Sequence, residues 1–168
     1  YDVIIIGTGG GTKISAPLLK LGKKIALIEK GKAGGTCLNR GCIPSKMFIH
    51  PANLLQNIRS LDRLNIHTEI KKIDFEALVA SINAHTDAVS EGIDNKYVRE
   101  ENADYYKGHA RFLNNKTVVV GEYQLSADKI VIATGSRAKI PAIPGLAHTP
   151  FMTSNEALRN KKLPKRLA

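Results

Sequence analysis

Asp2-Val3-Ile4-Ile5-Ile6-Gly7-Thr8-Gly9-Gly10-Gly11-Thr12 decides how the 168-residue chain is read. Asp2 to Ile6 is a short β-branched apolar run, the pattern of a strand buried on both faces. A glycine loop follows, then a helical stretch to about Leu21, then a second buried strand from Lys24 to Ile28. Together they make a βαβ unit of about thirty residues. Gly7-x-Gly9-x-x-Thr12 nearly completes the pattern G-x-G-x-x-G. In that pattern the first glycine makes a tight turn and the second lets the backbone approach a pyrophosphate. The third position wants a small residue for close helix–strand packing. Thr12 stands there, so this contact is expected to loosen or to shift to Gly11. The helix that follows points N–H groups and about half a positive charge at the loop. Glu29 ends the second strand about twenty residues on, placed to accept a hydrogen bond from a ribose 2′-OH and to repel a 2′-phosphate. The bland alternative is a glycine-rich turn with a surface glutamate. Pro17 removes a backbone donor within the expected helix and should kink it.

Gly34-Gly35-Thr36-Cys37-Leu38-Asn39-Arg40-Gly41-Cys42-Ile43-Pro44-Ser45-Lys46 follows the βαβ unit as a loop and holds the chain's two cysteines. A close pair in an otherwise cysteine-free chain points to chemistry more than to structure, because reducing compartments rarely keep structural disulfides. On a regular helix, residues five apart are separated by about 7.5 Å along the axis and point about 140° apart. A disulfide needs Cα atoms within about 7 Å, so bridging requires a break in the helix. Gly41 allows one, and Pro44 suits the first turn of a helix beginning beside it. A thiolate at a helix start is stabilised electrostatically. Two inert buried thiols remain an alternative. So does a metal site, although only scattered histidines such as His50 and His67 could complete it. A structural staple would gain little from so small a loop.

Further on, a helix is expected from near Pro44 to Arg59 and a polar connection over residues 60–73. Asp74 then caps a long helix through about Glu101. Asp104 to Leu113 alternates like one strand. Lys116–Val120 and Tyr123–Ala127 flank Gly121-Glu122 as a hairpin. Lys129 to Ala133 is a further buried strand, ending at Thr134-Gly135-Ser136. Pro141, Pro144 and Pro150 then interrupt regular structure, with a short helix near Ser154 to Asn160 in a linker-like stretch.

Hydrophobic residues make up 43% of the chain. No apolar run approaches the roughly 20 residues needed to span a bilayer. No signal-peptide pattern is present, so a cytoplasmic protein without membrane attachment is expected. The net charge is +10, from 25 basic and 15 acidic residues. The lysines are scattered, with doublets at Lys23-Lys24, Lys71-Lys72 and Lys161-Lys162, and no nucleic-acid motif accompanies them. They read as solvated surface with some attraction for an anionic cofactor.

The cysteine motif resembles the redox-disulfide motif of the flavoprotein disulfide reductases. The order of features is also similar: glycine loop, Glu29, cysteine pair, long helix, Gly108-His109-Ala110, then Ile130-Val131-Ile132-Ala133-Thr134-Gly135-Ser136. Leu38-Asn39 with Ile43-Pro44-Ser45-Lys46 looks most like the dihydrolipoamide dehydrogenase branch. Glutathione-type and mercuric members more often have Val where Leu38 and Ile43 stand, and Met47-Phe48 is similar to mycothione reductases. The resemblance implies an α/β fold: a Rossmann-like FAD-binding domain with a central parallel sheet, flanking helices and a small antiparallel hairpin or meander layer. It implies FAD in this domain. Gly7, Gly9 and Gly11 would hold its pyrophosphate, Glu29 its adenosine ribose, and Gly10 and Lys30 would be further cofactor-binding residues. Gly35 and Thr36 would run along it, His109 and Ala110 would meet the adenine, and Thr134, Gly135 and Ser136 would close over it. Lys46 would stand near the reactive edge of the isoalloxazine. Cys37 would exchange with the substrate, and Cys42 would lie against the flavin.

The same resemblance implies that residues 1–146 are the first segment of the FAD domain and 147–168 a linker toward an NAD(P)-binding domain outside this chain. The substrate would be a small disulfide or dithiol or a lipoyl domain, and the longer protein a homodimer. The chain alone is expected not to turn over, because the family's remaining catalytic groups come from the parts beyond it.

Overall fold

The computed structural model describes residues 1–167. Along the chain the elements are β1 (Val3–Ile6), α1 (Gly11–Lys20), β2 (Ile25–Glu29), α2 (Gly35–Arg40), α3 (Cys42–Ser60), α4 (Phe75–Val98), β3 (Ala103–Lys107), β4 (Ala110–Asn114), β5 (Thr117–Val120), β6 (Tyr123–Ser126), β7 (Lys129–Ile132) and α5 (Ser154–Ala157). Short 3-10 turns lie at Leu61–Leu64 and Leu146–His148. The residues form two compact units. The first joins Tyr1–Asn39 to Asp87–Arg137, and the second joins Arg40–Thr86 to the chain from Ala138 onward.

The first unit is built on a parallel sheet in the order β3-β2-β1-β7. Ile4 lies opposite Ala26 on one side and Ile130 on the other, and Ile25 lies opposite Ala103. Side chains alternate between the two faces of a strand. Ile4, Ile6, Ala26 and Ile28 therefore share one face, where they pack with Val118, Val120, Leu125 and Ala127 of the antiparallel sheet β4-β5-β6 and its flank. Val3, Ile5, Ile25 and Leu27 share the other, with Leu18 and Leu19 of α1 and Ile93 and Tyr97 of α4. This gives three layers: meander, parallel sheet, helices. Full burial of each aliphatic side chain contributes about 1.5–3 kcal/mol, so the β-branched runs of β1 and β2 anchor the unit. A bond between Ser15 Oγ and the Tyr97 hydroxyl (2.6 Å) ties α1 to α4.

The expected central sheet, flanking helices and meander are all present, but two local expectations change. α1 runs through Pro17 to Lys20, close to its expected extent. Lys13 and Pro17 are both exposed, so water can satisfy the carbonyl that Pro17 leaves without a donor. The alternation of Asp104 to Leu113 is not one strand: it divides at Gly108 into β3 and β4, which belong to different sheets. The Gly108 N–H donates to the Glu29 carbonyl (3.0 Å), and a Cβ on Gly108 would lie 2.7 Å from Val120 Cγ2. Tertiary packing therefore sets that corner. The second change is that the segment carrying the first cysteine is a short helix, α2, and not a loop. The backbone leaves helical values at Gly41 (φ −146°, ψ −118°) before α3 begins.

In the second unit, α3 starts two residues before Pro44, which occupies the first turn where no N–H is needed. Asp74 Oδ1 accepts from the Ala77 N–H (3.1 Å), the cap its position predicts. The rings of Phe48 and Phe75 pack 6.1 Å apart, and Val79 and Ile82 are fully buried. Among the described residues no helix is long and apolar enough to cross a membrane.

Candidate dinucleotide-binding site

Every strand of the parallel sheet delivers a segment singled out from the sequence at its carboxyl end. β1 leads into Gly7–Gly11, β2 ends at Glu29 and continues into Lys30, β3 leads into Gly108-His109-Ala110, and β7 leads into Thr134-Gly135-Ser136. Ligands of open parallel sheets bind outside these carboxyl ends, where the connections from a central strand run to opposite sides. Backbone bonds tie the four exits together: Gly7 N–H to Ile28 O (2.8 Å), Ala133 N–H to Ile6 O (2.9 Å) and Gly108 N–H to Glu29 O.

The glycines of the loop have separate tasks. A Cβ on Gly7 would lie 2.3 Å from the Ala133 carbonyl oxygen, so only glycine lets β1 and β7 end side by side here. A Cβ on Gly11 would lie 2.7 Å from Ile5 Cγ2 and 3.5 Å from Ala133 Cβ. Gly11 thus takes the helix–strand packing role that the pattern assigns one position later. Thr12 instead donates its hydroxyl to the Gly9 carbonyl (2.9 Å). A Cβ on Gly10 would meet nothing within 4 Å. The loop is therefore open at Gly10, above an α1 N-terminus that has no side-chain cap and no acid in its first turn. Uncapped N–H groups beside an open glycine backbone fit a pyrophosphate.

Glu29 stands beside this loop. Its Oε2 accepts from the Thr8 N–H (3.0 Å) and the Thr8 hydroxyl (2.7 Å), and its Oε1 accepts from the Gly31 N–H (2.8 Å). Burial alone would raise its pKa. The bonds from the Thr8 hydroxyl, the Gly31 N–H and the Thr8 N–H, with the charge of Lys107, outweigh burial and hold the carboxyl below its ordinary value. The acid is thus ionised and oriented, as a ribose-binding carboxylate must be. Lys30, Thr36 and His109 are exposed beside these exits, as are Thr134, Gly135 and Ser136, while Ala110 begins β4.

Gly35 opens α2 directly against the glycine loop: a Cβ on Gly35 would lie 2.7 Å from Gly9 Cα. Cys37 follows on α2 and is exposed. Asn39, 8% exposed, donates its Nδ2 to the carbonyls of Ala33 (2.8 Å) and Gly35 (3.0 Å), while its Oδ1 is buried with no hydrogen-bond partner. Ser90 Oγ on α4 also donates to the Ala33 carbonyl (2.9 Å), and Lys32 pairs with Asp87 (2.6 Å). Cys42 and Lys46 lie in the second unit, on the first turns of α3. Both are exposed, and the Ser45 hydroxyl donates to the Cys42 carbonyl (3.2 Å). The sequence pattern gives no structural task to the Thr8, Asn39 or Ser90 side chains. Thr8 occupies a position the glycine pattern leaves open, Asn39 turns back on the carbonyls that precede it once α2 forms, and Ser90 acts on a carbonyl 57 residues away.

The family model for pyridine nucleotide-disulphide oxidoreductases matches residues 1–168. The chain is 37% identical to a mercuric reductase of Bacillus cereus, covering 99% of this chain and 27% of that protein. It is 34% identical to a dihydrolipoyl dehydrogenase of Chlamydia trachomatis, covering all of this chain and 37% of that protein. Among solved structures, the HOCl-induced flavoprotein disulfide reductase RclA from Escherichia coli superposes with a TM-score of 0.80 at 32% identity, over 98% of this chain and 35% of that one. The chain thus spans about a third of the length of the relatives it matches. It belongs to the pyridine nucleotide-disulphide oxidoreductase family, whose members bind FAD and NAD(P).

Proposed function

We propose that this chain supplies the first segment of the FAD-binding domain (residues 1–146), with its redox cysteines, to a dithiol/disulfide oxidoreductase, and that residues 147–168 lead toward an NAD(P)-binding domain. The observation that supports this most is the placement of α2: the helix carrying Cys37 begins in backbone contact with the glycine loop that faces the α1 N-terminus. Gly7, Gly9, Gly10 and Gly11 hold the pyrophosphate, Glu29 the adenosine ribose, and His109, Ala110 and Thr134 to Ser136 the flanks of the cofactor. FAD, when bound, supplies a two-electron carrier between the cysteines and NAD.

The chain's own chemistry is thiol–disulfide exchange. With Cys37 and Cys42 joined, a thiolate of dihydrolipoamide attacks Cys37 Sγ, and Cys42 leaves as a thiolate. The second substrate thiol then attacks the mixed disulfide, closing the lipoamide ring and releasing Cys37. Two electrons thereby pass from substrate to the cysteine pair. Lys46 supplies a cation for the negative charge that accumulates as electrons move on. Leu38-Asn39 and Ile43-Pro44-Ser45-Lys46 favour dihydrolipoamide as the dithiol, free or on a lipoyl domain, in a cytoplasmic homodimer. The identity to mercuric reductase favours a second reading in which the cysteines deliver Hg(II) for two-electron reduction. The test is turnover of the longer protein carrying this chain. Lipoamide, Hg(II), mycothiol disulfide and glutathione disulfide are each assayed with NADH and with NADPH. Lipoamide with NADH is expected to give the highest kcat/KM, and Cys37→Ser or Cys42→Ser to abolish it. Highest turnover with Hg(II) would favour the second reading, and full activity without either cysteine would end both.

A further inference from the structure

Thr8 is fully buried, and its hydroxyl serves two partners at once. It donates to Glu29 Oε2 (2.7 Å) and accepts from the Gly34 N–H (3.1 Å). One partner is the acid of the adenosine end; the other is Gly34, in the turn that starts α2, three residues before Cys37. We propose that Thr8 is a positioning residue that couples occupancy of the adenosine site to the reactivity of Cys37. The inference rests on the FAD-domain reading above.

Two features make the hydroxyl a coupler and not merely a cap. A carboxylate has about four lone-pair sites. Glu29 already spends two on Thr8 at Oε2 and one on Gly31 at Oε1, so a ribose that donates one hydroxyl to each carboxylate oxygen must compete with Thr8 at Oε2. A hydroxyl that donates to a carboxylate is also a better acceptor, because hydrogen bonds in a chain polarise one another. Weakening the Thr8–Glu29 bond therefore weakens the grip on Gly34. The turn cannot absorb the change locally. Gly35 rests on Gly9, a Cβ on Gly34 would meet Leu38 at 2.4 Å, and Asn39 clamps the Ala33 and Gly35 carbonyls. A shift at Gly34 is passed into α2, and Cys37 is on α2.

ADP is the probe, because it carries the ribose and diphosphate but no flavin to touch the thiol. The reduced chain is treated with iodoacetamide, with and without saturating ADP, and alkylation of the Cys37 peptide is followed by mass spectrometry. ADP is expected to change the Cys37 rate by about threefold or more. Thr8→Val should abolish that dependence, and Thr8→Ser, which keeps the hydroxyl, should preserve it. A purely structural role would change the thermal midpoint without changing the ADP dependence. ADP that binds by calorimetry but leaves the Cys37 rate unchanged overturns the coupling alone. So does a dependence that survives in Thr8→Val or is lost in Thr8→Ser. ADP that does not bind at all overturns the dinucleotide reading, and the coupling with it.

Discussion

Gly7 and Gly135 follow neighbouring parallel strands, and both hold positive φ, 105° and 69°. Their surroundings differ. A Cβ on Gly7 would overlap the Ala133 carbonyl oxygen at 2.3 Å, whereas a Cβ on Gly135 would meet nothing within 4 Å. The loop after β1 is part of the fold's own packing. The loop after β7 is exposed, with its side-chain surface open to whatever binds there. Gly7→Ala combines an unfavourable φ with an overlap against backbone that cannot yield, and should cost at least about 3 kcal/mol. Gly135→Ala carries only the conformational cost, about 1–2 kcal/mol. Urea unfolding of the two variants measures both, and equal losses would mean that the two loops are equally built into the fold.

The same contrast explains what could be read from the chain. β1 and β2 were legible because Val3–Ile6 and Ile25–Ile28 are apolar at every position, which only a strand covered on both faces tolerates. Glu29 was legible because its distance from the glycine loop follows from one βαβ circuit. The corner at Gly108 was not, because the alternation of Asp104 to Leu113 runs unbroken across it. What divides it is Val120, brought there by another strand. α2 was not legible either. Six residues are too few to hold a helix by propensity, and glycines stand at both of its ends. It exists because Asn39 and Ser90 hold the carbonyls before it. Thr8 was hidden for a similar reason: the pattern constrains the glycines on either side of it and says nothing of a side chain turned inward.

Glu29 sharpens the comparison from the built side. Its carboxyl is held below the ordinary value of 4.5, so the ionised form stabilises the fold. That contribution is complete above about pH 4.5, and it is lost as pH falls through the lower folded value. The group is only partly buried, so solvent screening should keep the effect below about 1 kcal/mol. Asp2, Asp74, Asp128 and Glu156 are also lowered and titrate over the same range, so the wild-type curve alone cannot isolate Glu29. The difference between wild type and Glu29→Gln can. It should shrink as the pH is taken from 6 toward 3, and a constant difference would show that the Thr8 and Gly31 bonds do not depend on the charge.

Gly10 tests the contrast where the effect on folding is smallest. Its backbone is already helical (φ −63°, ψ −29°), and a Cβ there would meet nothing. Gly10→Ala should therefore change stability by no more than about 0.5 kcal/mol in either direction. If the open face of the loop exists to admit a pyrophosphate, the same methyl group stands where the ligand's backbone partners must be approached closely. Affinity for ADP or FAD should then fall while the unfolding midpoint stays in place. Gly7→Ala would lose both together, because its binding defect follows from a damaged fold. A Gly10→Ala variant that binds the nucleotide as well as wild type would mean that the diphosphate does not come close to the loop at this residue. The α1 N-terminus would then have to reach it from the side of Gly9 instead.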